Sequence, residues 1–185
     1  DMHNFDQKKL GKGLGELHLK SAESNHKMFG FPVDGFIGTT DQKKGLEDNW
    51  IDCFLNLRII PQLSILKNNF LDKKTINKLK EKIKSELLNH KPINTLVHGD
   101  LWSGNIGTEQ SGKGVIFDPA SWWADNEVDI AMTKLFGGFR KEFYEEYHRI
   151  FPVKDGFEKR IIIYNFYHIL NHANMFGGAY LNQVK

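Results

Sequence analysis

Three oxygen-bearing side chains at short separations, Asp100, Asn105 and Asp118, carry the first chemical signal in the chain. They lie in His98-Gly99-Asp100-Leu101-Trp102-Ser103-Gly104-Asn105 and in Ile116-Phe117-Asp118-Pro119-Ala120. A carboxylate accepts a proton from an attacking hydroxyl, and amide and carboxylate oxygens are the hard ligands that magnesium prefers. Together these are the parts that phosphoryl transfer needs, because that reaction depends on positioning and on neutralising phosphate charge. Asp100 fits the acceptor role, and Asn105 and Asp118 fit the metal roles. Two structural roles remain open as well: Asp100 as a loop cap, and Asp118 as the start of a turn before Pro119.

Around these three stand residues that would shape or support a site. His98 either hydrogen-bonds the loop backbone that presents Asp100 or is a buried, satisfied histidine. Trp102 offers a flat apolar face to a sugar or a cation. Trp122 and Trp123 are candidates for the same pocket, although adjacent tryptophans are often divided between core and surface. Thr39, Thr40 and Gln42 either border a substrate entrance or build a turn. His18, His168 and His172 are dispersed through helical patterns and read as packing or surface residues, and Cys53 as a small core residue.

The elements that must hold these groups are mostly helical. Leu10, Leu14 and Leu17 predict a helix from about Asp6 to Leu19, with His18 at its end. From Phe29 to Leu46 the glycines and Pro32 predict an irregular ordered segment. Trp50, Phe54 and Leu57 share a helical face, and Pro61 should bend or interrupt that helix. Ile76, Leu79, Ile83 and Leu87 mark another helix, ended by Pro92. Thr95-Leu96-Val97 and Gly114-Val115-Ile116-Phe117 are short β-prone runs, which set Asp100 and Asp118 each just past a strand. Further helices follow around Val128 to Phe136, around Phe139 to Ile150, and from Phe157 through Ile169, the last a long final helix. Phe176-Gly177-Gly178 suggests close packing near the C-terminus. The expected fold class is mainly α with a short β region, an α+β arrangement.

Composition narrows the partners. The 185 residues carry a formal charge of +2 with both signs interspersed, which gives no field suited to nucleic acid or an anionic membrane. The basic run at Lys73, Lys74, Lys78, Lys80, Lys82 and Lys84 is broken by Glu81 and Glu86 and reads as a solvated helix face. A single cysteine excludes an internal disulfide and a cysteine-based zinc cluster. No apolar run approaches the roughly 20 residues that span a bilayer. A cytoplasmic location is the expectation.

The spacing H-G-D-L-W-S-G-N matches the H-R-D-L-x-x-x-N of protein kinases, with Asp118 where D-F-G would follow. The wider residue set resembles the fructosamine kinase, or ketosamine-3-kinase, family, whose fold is similar to that of aminoglycoside phosphotransferases and protein kinases. Besides His98 to Asn105, the resemblance rests on Phe36 to Thr40 with Gln42 and Trp50, and on Arg58 with Pro61-Gln62-Leu63. It continues in Asp118-Pro119-Ala120 with Glu127 and Asp129, in Leu135 to Phe139, and in Leu170-Asn171-His172 with Met175 to Leu181. It implies ATP and Mg2+ as cofactors and a ketosamine acceptor, either a small molecule or a glycated protein lysine, phosphorylated on the sugar 3-hydroxyl in protein deglycation. Asp129 then resembles the Asp that steadies the catalytic loop in related kinases, its alternative being a charge at a helix N-terminus.

The resemblance places residues 1–185 as one domain, a kinase-like C-terminal lobe carrying the catalytic loop (98–105) and the metal-binding segment (118–120). The N-terminal β-lobe, with its phosphate-covering loop and ATP-contacting lysine, is absent from the chain or supplied by a separate one, and transfer should be weak without it. Trp122-Trp123-Ala124 departs from the family's aromatic-Tyr-Gly, and Asp41 from its usual proline. Two alternatives stay open: a kinase of the same fold for another amino or sugar substrate, and a non-catalytic ligand-binding lobe.

Overall fold

A computed structural model describes residues 6–66, 70–109 and 113–184. Asp6 caps the first helix, α1 (Gln7–Glu23), by accepting the backbone N–H groups of Lys8 and Lys9. The buried stripe of α1 is Leu10, Leu14 and His18, while Leu17 is exposed. The helix therefore outruns its expected end by a turn, and His18 lies inside it as a core residue.

The segment read as irregular folds into four short strands: β1 (Phe29–Phe31), β2 (Gly35–Ile37), β3 (Thr40–Gln42) and β4 (Gly45–Glu47). At three residues each they are too short to show an alternating apolar pattern, so the glycines dominated the sequence signal. β1 joins a four-stranded antiparallel sheet in the order β4-β1-β8-β5, where β5 is Asn94–Val97 and β8 is Trp122–Asp125. β2 and β3 form a separate hairpin, and β6 (Ile106–Thr108) pairs with β7 (Gly114–Ile116) in another.

Pro61 does not interrupt its helix. α2 (Trp50–Cys53), with Asn49 as its cap, runs through a π-helical stretch, Phe54–Ile59, into α3 (Ile60–Ile65). Proline has no N–H to give the Leu57 carbonyl, four residues back. The Arg58 guanidinium takes that acceptor instead, at 2.8 Å, together with the Lys43 carbonyl at 3.1 Å. The wider π turn just ahead of the proline lets the chain stay helical. Cys53, in the same helix, is fully buried, and burial pushes its thiol up to about 12.

The basic run lies on α4 (Lys73–Leu87), whose Ile83 and Leu87 are buried while Lys82 and Lys84 pair with Glu86 and Glu81 on the outer face. α5 (Glu127–Leu135), α6 (Lys141–Ile150) and α7 (Phe157–Phe176) follow as expected. α7 is not the last, because a short α8 (Ala179–Val184) follows it. Gly177 and Gly178 make that turn with φ of 64° and 54°. A Cβ on Gly178 would meet nothing within 4 Å, so these glycines serve backbone conformation rather than close packing.

One apolar core links the helices to the four-stranded sheet. At its centre Trp50 stacks on Trp122, with ring centroids 5.6 Å apart, and Trp50 Nε1 donates to the Tyr164 hydroxyl at 3.1 Å. Among the described residues no helix is long and apolar enough to cross a membrane.

Candidate active site

β5 ends at Val97 and leads directly into His98-Gly99-Asp100. Gly99 has φ of 84°, and a Cβ there would sit 2.1 Å from the Ala120 carbonyl oxygen, so the close pass between the two loops requires glycine. The chain then enters a 3-10 turn, Ser103–Asn105, and the β6–β7 hairpin. That hairpin closes with Phe117 N–H donating to the Asn105 carbonyl at 3.1 Å. Its open end thus sets Asn105 beside Asp118, and Asp118 adopts a left-handed φ of 53°, a conformation Asp tolerates better than most residues.

The three oxygen-bearing side chains meet in a cleft of 480 Å3, shared with Phe36, Trp102, His172, Met175 and Phe176. Asn105 Nδ2 donates to the Asp100 carbonyl at 2.8 Å and to Asp100 Oδ2 at 3.2 Å. This leaves its amide oxygen as the atom a cation would take. That oxygen and the exposed Asp118 carboxylate form a hard donor set of the kind magnesium accepts, with room for water and phosphate oxygens. Burial raises the Asp100 carboxyl above the ordinary carboxylate range, against the opposing pull of His98, His172 and the Asn105 hydrogen bond. A raised pKa suits a group that must take a proton.

The buried Asp129, in the first turn of α5, holds the loop from behind. Its Oδ2 accepts the His98 N–H at 2.7 Å and its Oδ1 the Gly99 N–H at 2.9 Å. His18 Nε2 adds a third contact at 3.1 Å, while His18 Nδ1 lies 2.9 Å from the Tyr147 hydroxyl. Burial pushes the Asp129 carboxyl up, but the His18 hydrogen bond, the nearby imidazoles and the Gly99 amide outweigh it, and the net shift is downward. His18 is a residue that the sequence did not flag: its spacing from Asp129 is 111 residues, and no local pattern links them. His172, read from its helical pattern as a packing or surface residue, lines the cleft together with Met175 and Phe176, which the sequence marks only through the family resemblance.

The other candidates are placed differently. Trp102 is 38% exposed at the cleft wall, edge-on to Phe136. Trp122 is wholly buried between Trp50 and the Arg58 guanidinium, which lies 4.1 Å from its ring centre, so it faces the core and not a ligand. The alternation of β8 sends the next residue to the opposite face, where Trp123 stacks on His26 away from the cleft. Thr39 is exposed in the β2–β3 turn, outside the cleft lining. Gln42 is buried; its Nε2 donates to the Ala120 carbonyl at 3.1 Å, and its Oε1 accepts from the Tyr167 hydroxyl at 3.0 Å. It braces the Asp118-Pro119-Ala120 segment from beneath.

A second polar cluster, His90, Asp125 and Glu127, has ligand atoms close enough for a metal, but three of its four carboxylate oxygens are already engaged and only Asp125 Oδ1 has no partner among the described residues. Asp125 Oδ2 takes His90 and Tyr164, and both Glu127 oxygens take Arg160. It is an ion-pair network under the sheet.

A helical lobe with paired strands that presents an Asp, an Asn and a second Asp in one cleft belongs to the protein-kinase-like class. In fold the chain matches a crystal structure from Haemophilus somnus described as a candidate fructosamine-3-kinase, with a TM-score of 0.86 and 26% identity over all of this chain and 63% of that one. A choline kinase from Streptococcus pneumoniae shares the fold alone, with a TM-score of 0.56 and 14% identity over 96% of this chain and 55% of that one. The fructosamine kinase family model matches residues 1–185, and the chain belongs to that family. A probable ketoamine kinase of Vibrio parahaemolyticus is 43% identical over 177 residues, covering 96% of this chain and 60% of its relative. The ketosamine-3-kinase of Mus musculus is 33% identical, covering 93% and 63%. The chain thus spans about 60% of the length of the curated relatives it matches.

Proposed function

We propose that the protein carrying this chain is an ATP-dependent ketosamine kinase that phosphorylates the sugar 3-hydroxyl of fructosamines or ribulosamines, on small amines or on glycated lysines. The observation that carries this reading is the convergence of Asp100, Asn105 and Asp118 in one cleft, with Trp102 on its wall. Asp100 accepts the hydroxyl proton, and burial has already raised its affinity for one. Asn105 and Asp118 would hold magnesium, which would neutralise charge on the phosphates. Asp129 and His98 fix the loop backbone, so that the base and the metal ligands keep their separation during transfer. Trp102 lies against the sugar or the protonated amine.

Residues 1–185 act in this reading as one domain, the catalytic lobe, in a cytoplasmic enzyme of protein deglycation. The test is transfer of labelled phosphate from Mg-ATP to a fructosyl-amine, with Asp100→Asn beside the parent. Transfer that the substitution removes supports the reading. Tight ketosamine binding without transfer in the longest natural form of the protein would favour a ligand-binding lobe instead.

A further inference from the structure

His168 lies on α7, one turn before His172, and is fully buried. Among the described residues neither of its ring nitrogens has a hydrogen-bond partner. An unpaired buried imidazole is destabilising, because folding has stripped its nitrogens of water and returned nothing. Such groups are uncommon in native cores and call for a reason. The ring's surroundings supply one. Its Nδ1 sits 3.9 Å from Oδ1 of Asp100, while Oδ2 of the same carboxylate is held by Asn105.

We infer that His168 is a positioning residue for Asp100, its Nδ1–H holding the carboxylate from the core side when substrate closes the site. This rests on the phosphotransferase reading of the cleft. At 3.9 Å the pair is just outside hydrogen-bond range, and a shift of about 1 Å completes the contact. Asp100 then has both oxygens oriented, Oδ2 by Asn105 and Oδ1 by His168, and each oxygen keeps a lone pair for the substrate hydroxyl.

Burial holds His168 down to about 3, so at physiological pH the ring is neutral, with one N–H and one bare nitrogen. A neutral donor orients the carboxylate without the ion pair that would hold it deprotonated and weaken it as a base. The His168 carbonyl lies 2.8 Å from His172 Nδ1 within the same helix.

The test uses the longest natural protein that contains this chain, with fructosyl-amine as acceptor. In His168→Leu an apolar side chain replaces two unpaired nitrogens, so a merely structural histidine predicts a Tm that stays or rises with kcat unchanged. The positioning role predicts the same Tm behaviour but a kcat lower by about ten- to a hundredfold, with KM for the amine near its parent value. His168→Asn places its amide nitrogen on the same branch as Nδ1 and should recover kcat to within about threefold, whereas His168→Gln, whose nitrogen follows Nε2, should not. Parent-level kcat in the Leu variant, or equal rescue by Gln and Asn, overturns the inference. Imidazole 15N shifts in the parent give an answer independent of activity: the proton belongs on Nδ1, and a ring protonated only on Nε2 overturns the assignment. A parent protein that transfers no phosphate overturns the kinase reading, and the 15N shifts still decide the geometry.

Discussion

His98 ties the two halves of the site together through one ring: Nε2 donates to the Phe117 carbonyl at 2.9 Å, and Nδ1 accepts the Asp100 N–H at 3.3 Å. Asp100 and the residue preceding Asp118 are thus joined by an imidazole that does not itself line the cleft. Removing it frees the two loops to drift relative to each other. His98→Ala should lower kcat about ten- to a hundredfold and raise the Mg2+ concentration needed for half-maximal rate. A Mg2+ titration of the rate checks this, and an unchanged half-maximal concentration would mean that the ring does not set the metal geometry.

Asp100→Asn should reduce transfer by about a thousandfold, because the amide cannot take the proton. The same substitution should stabilise the fold at neutral pH. The Asp100 carboxyl is raised in the folded state, so its favourable contribution exists while it is protonated and disappears as pH climbs through its folded value. Tm of the parent and the variant should therefore differ at pH 7 and converge in acid, below the ordinary carboxylate range. A variant less stable than the parent at pH 7 would contradict the burial argument.

Asp129 has the opposite sign. Its lowered carboxyl contributes stability above the unfolded value and loses it as pH falls through the folded one. Asp129→Ala should cost about 3 kcal/mol at pH 7, because the His98 and Gly99 amides and His18 lose a shared acceptor in a dry site. Denaturant midpoints at pH 7 and in acid would show a gap that narrows as the solution is acidified.

Two tryptophans should separate binding from stability. Trp102→Ala should raise KM for the ketosamine while leaving Tm within a degree or two, since its ring is 38% exposed at the cleft wall. Trp122→Ala should destabilise by about 3–5 kcal/mol, because it opens a cavity between Trp50 and Arg58. A KM effect from Trp122 in a fully folded variant would reopen its role as a ligand contact.

The three residues that converge in the cleft were legible from residue type and spacing. Asp100, Asn105 and Asp118 lie in two short motifs at strand ends, and local sequence determines such motifs because each is a single turn whose backbone its own glycine and proline shape. The helices were legible too, since apolar residues repeat along α4 through α7 at the period of the helix itself. What the sequence could not decide was every relation across distance. Within the stretch from Phe29 to Glu47, β2 pairs with β3 and β1 with β4, but only β8, far along the chain, ties β1 into the four-stranded sheet. Trp122 and Trp123 look alike in sequence and are separated by the pleat, one into the core and one toward His26. Gln42 braces the Ala120 carbonyl from the core, and only after the helices dock does His18 contact Asp129 and His168 come within 3.9 Å of Asp100. Hydrogen bonds and burial act over a few ångströms regardless of chain separation, so tertiary packing alone selects which polar side chains touch the reacting groups and which merely hold them.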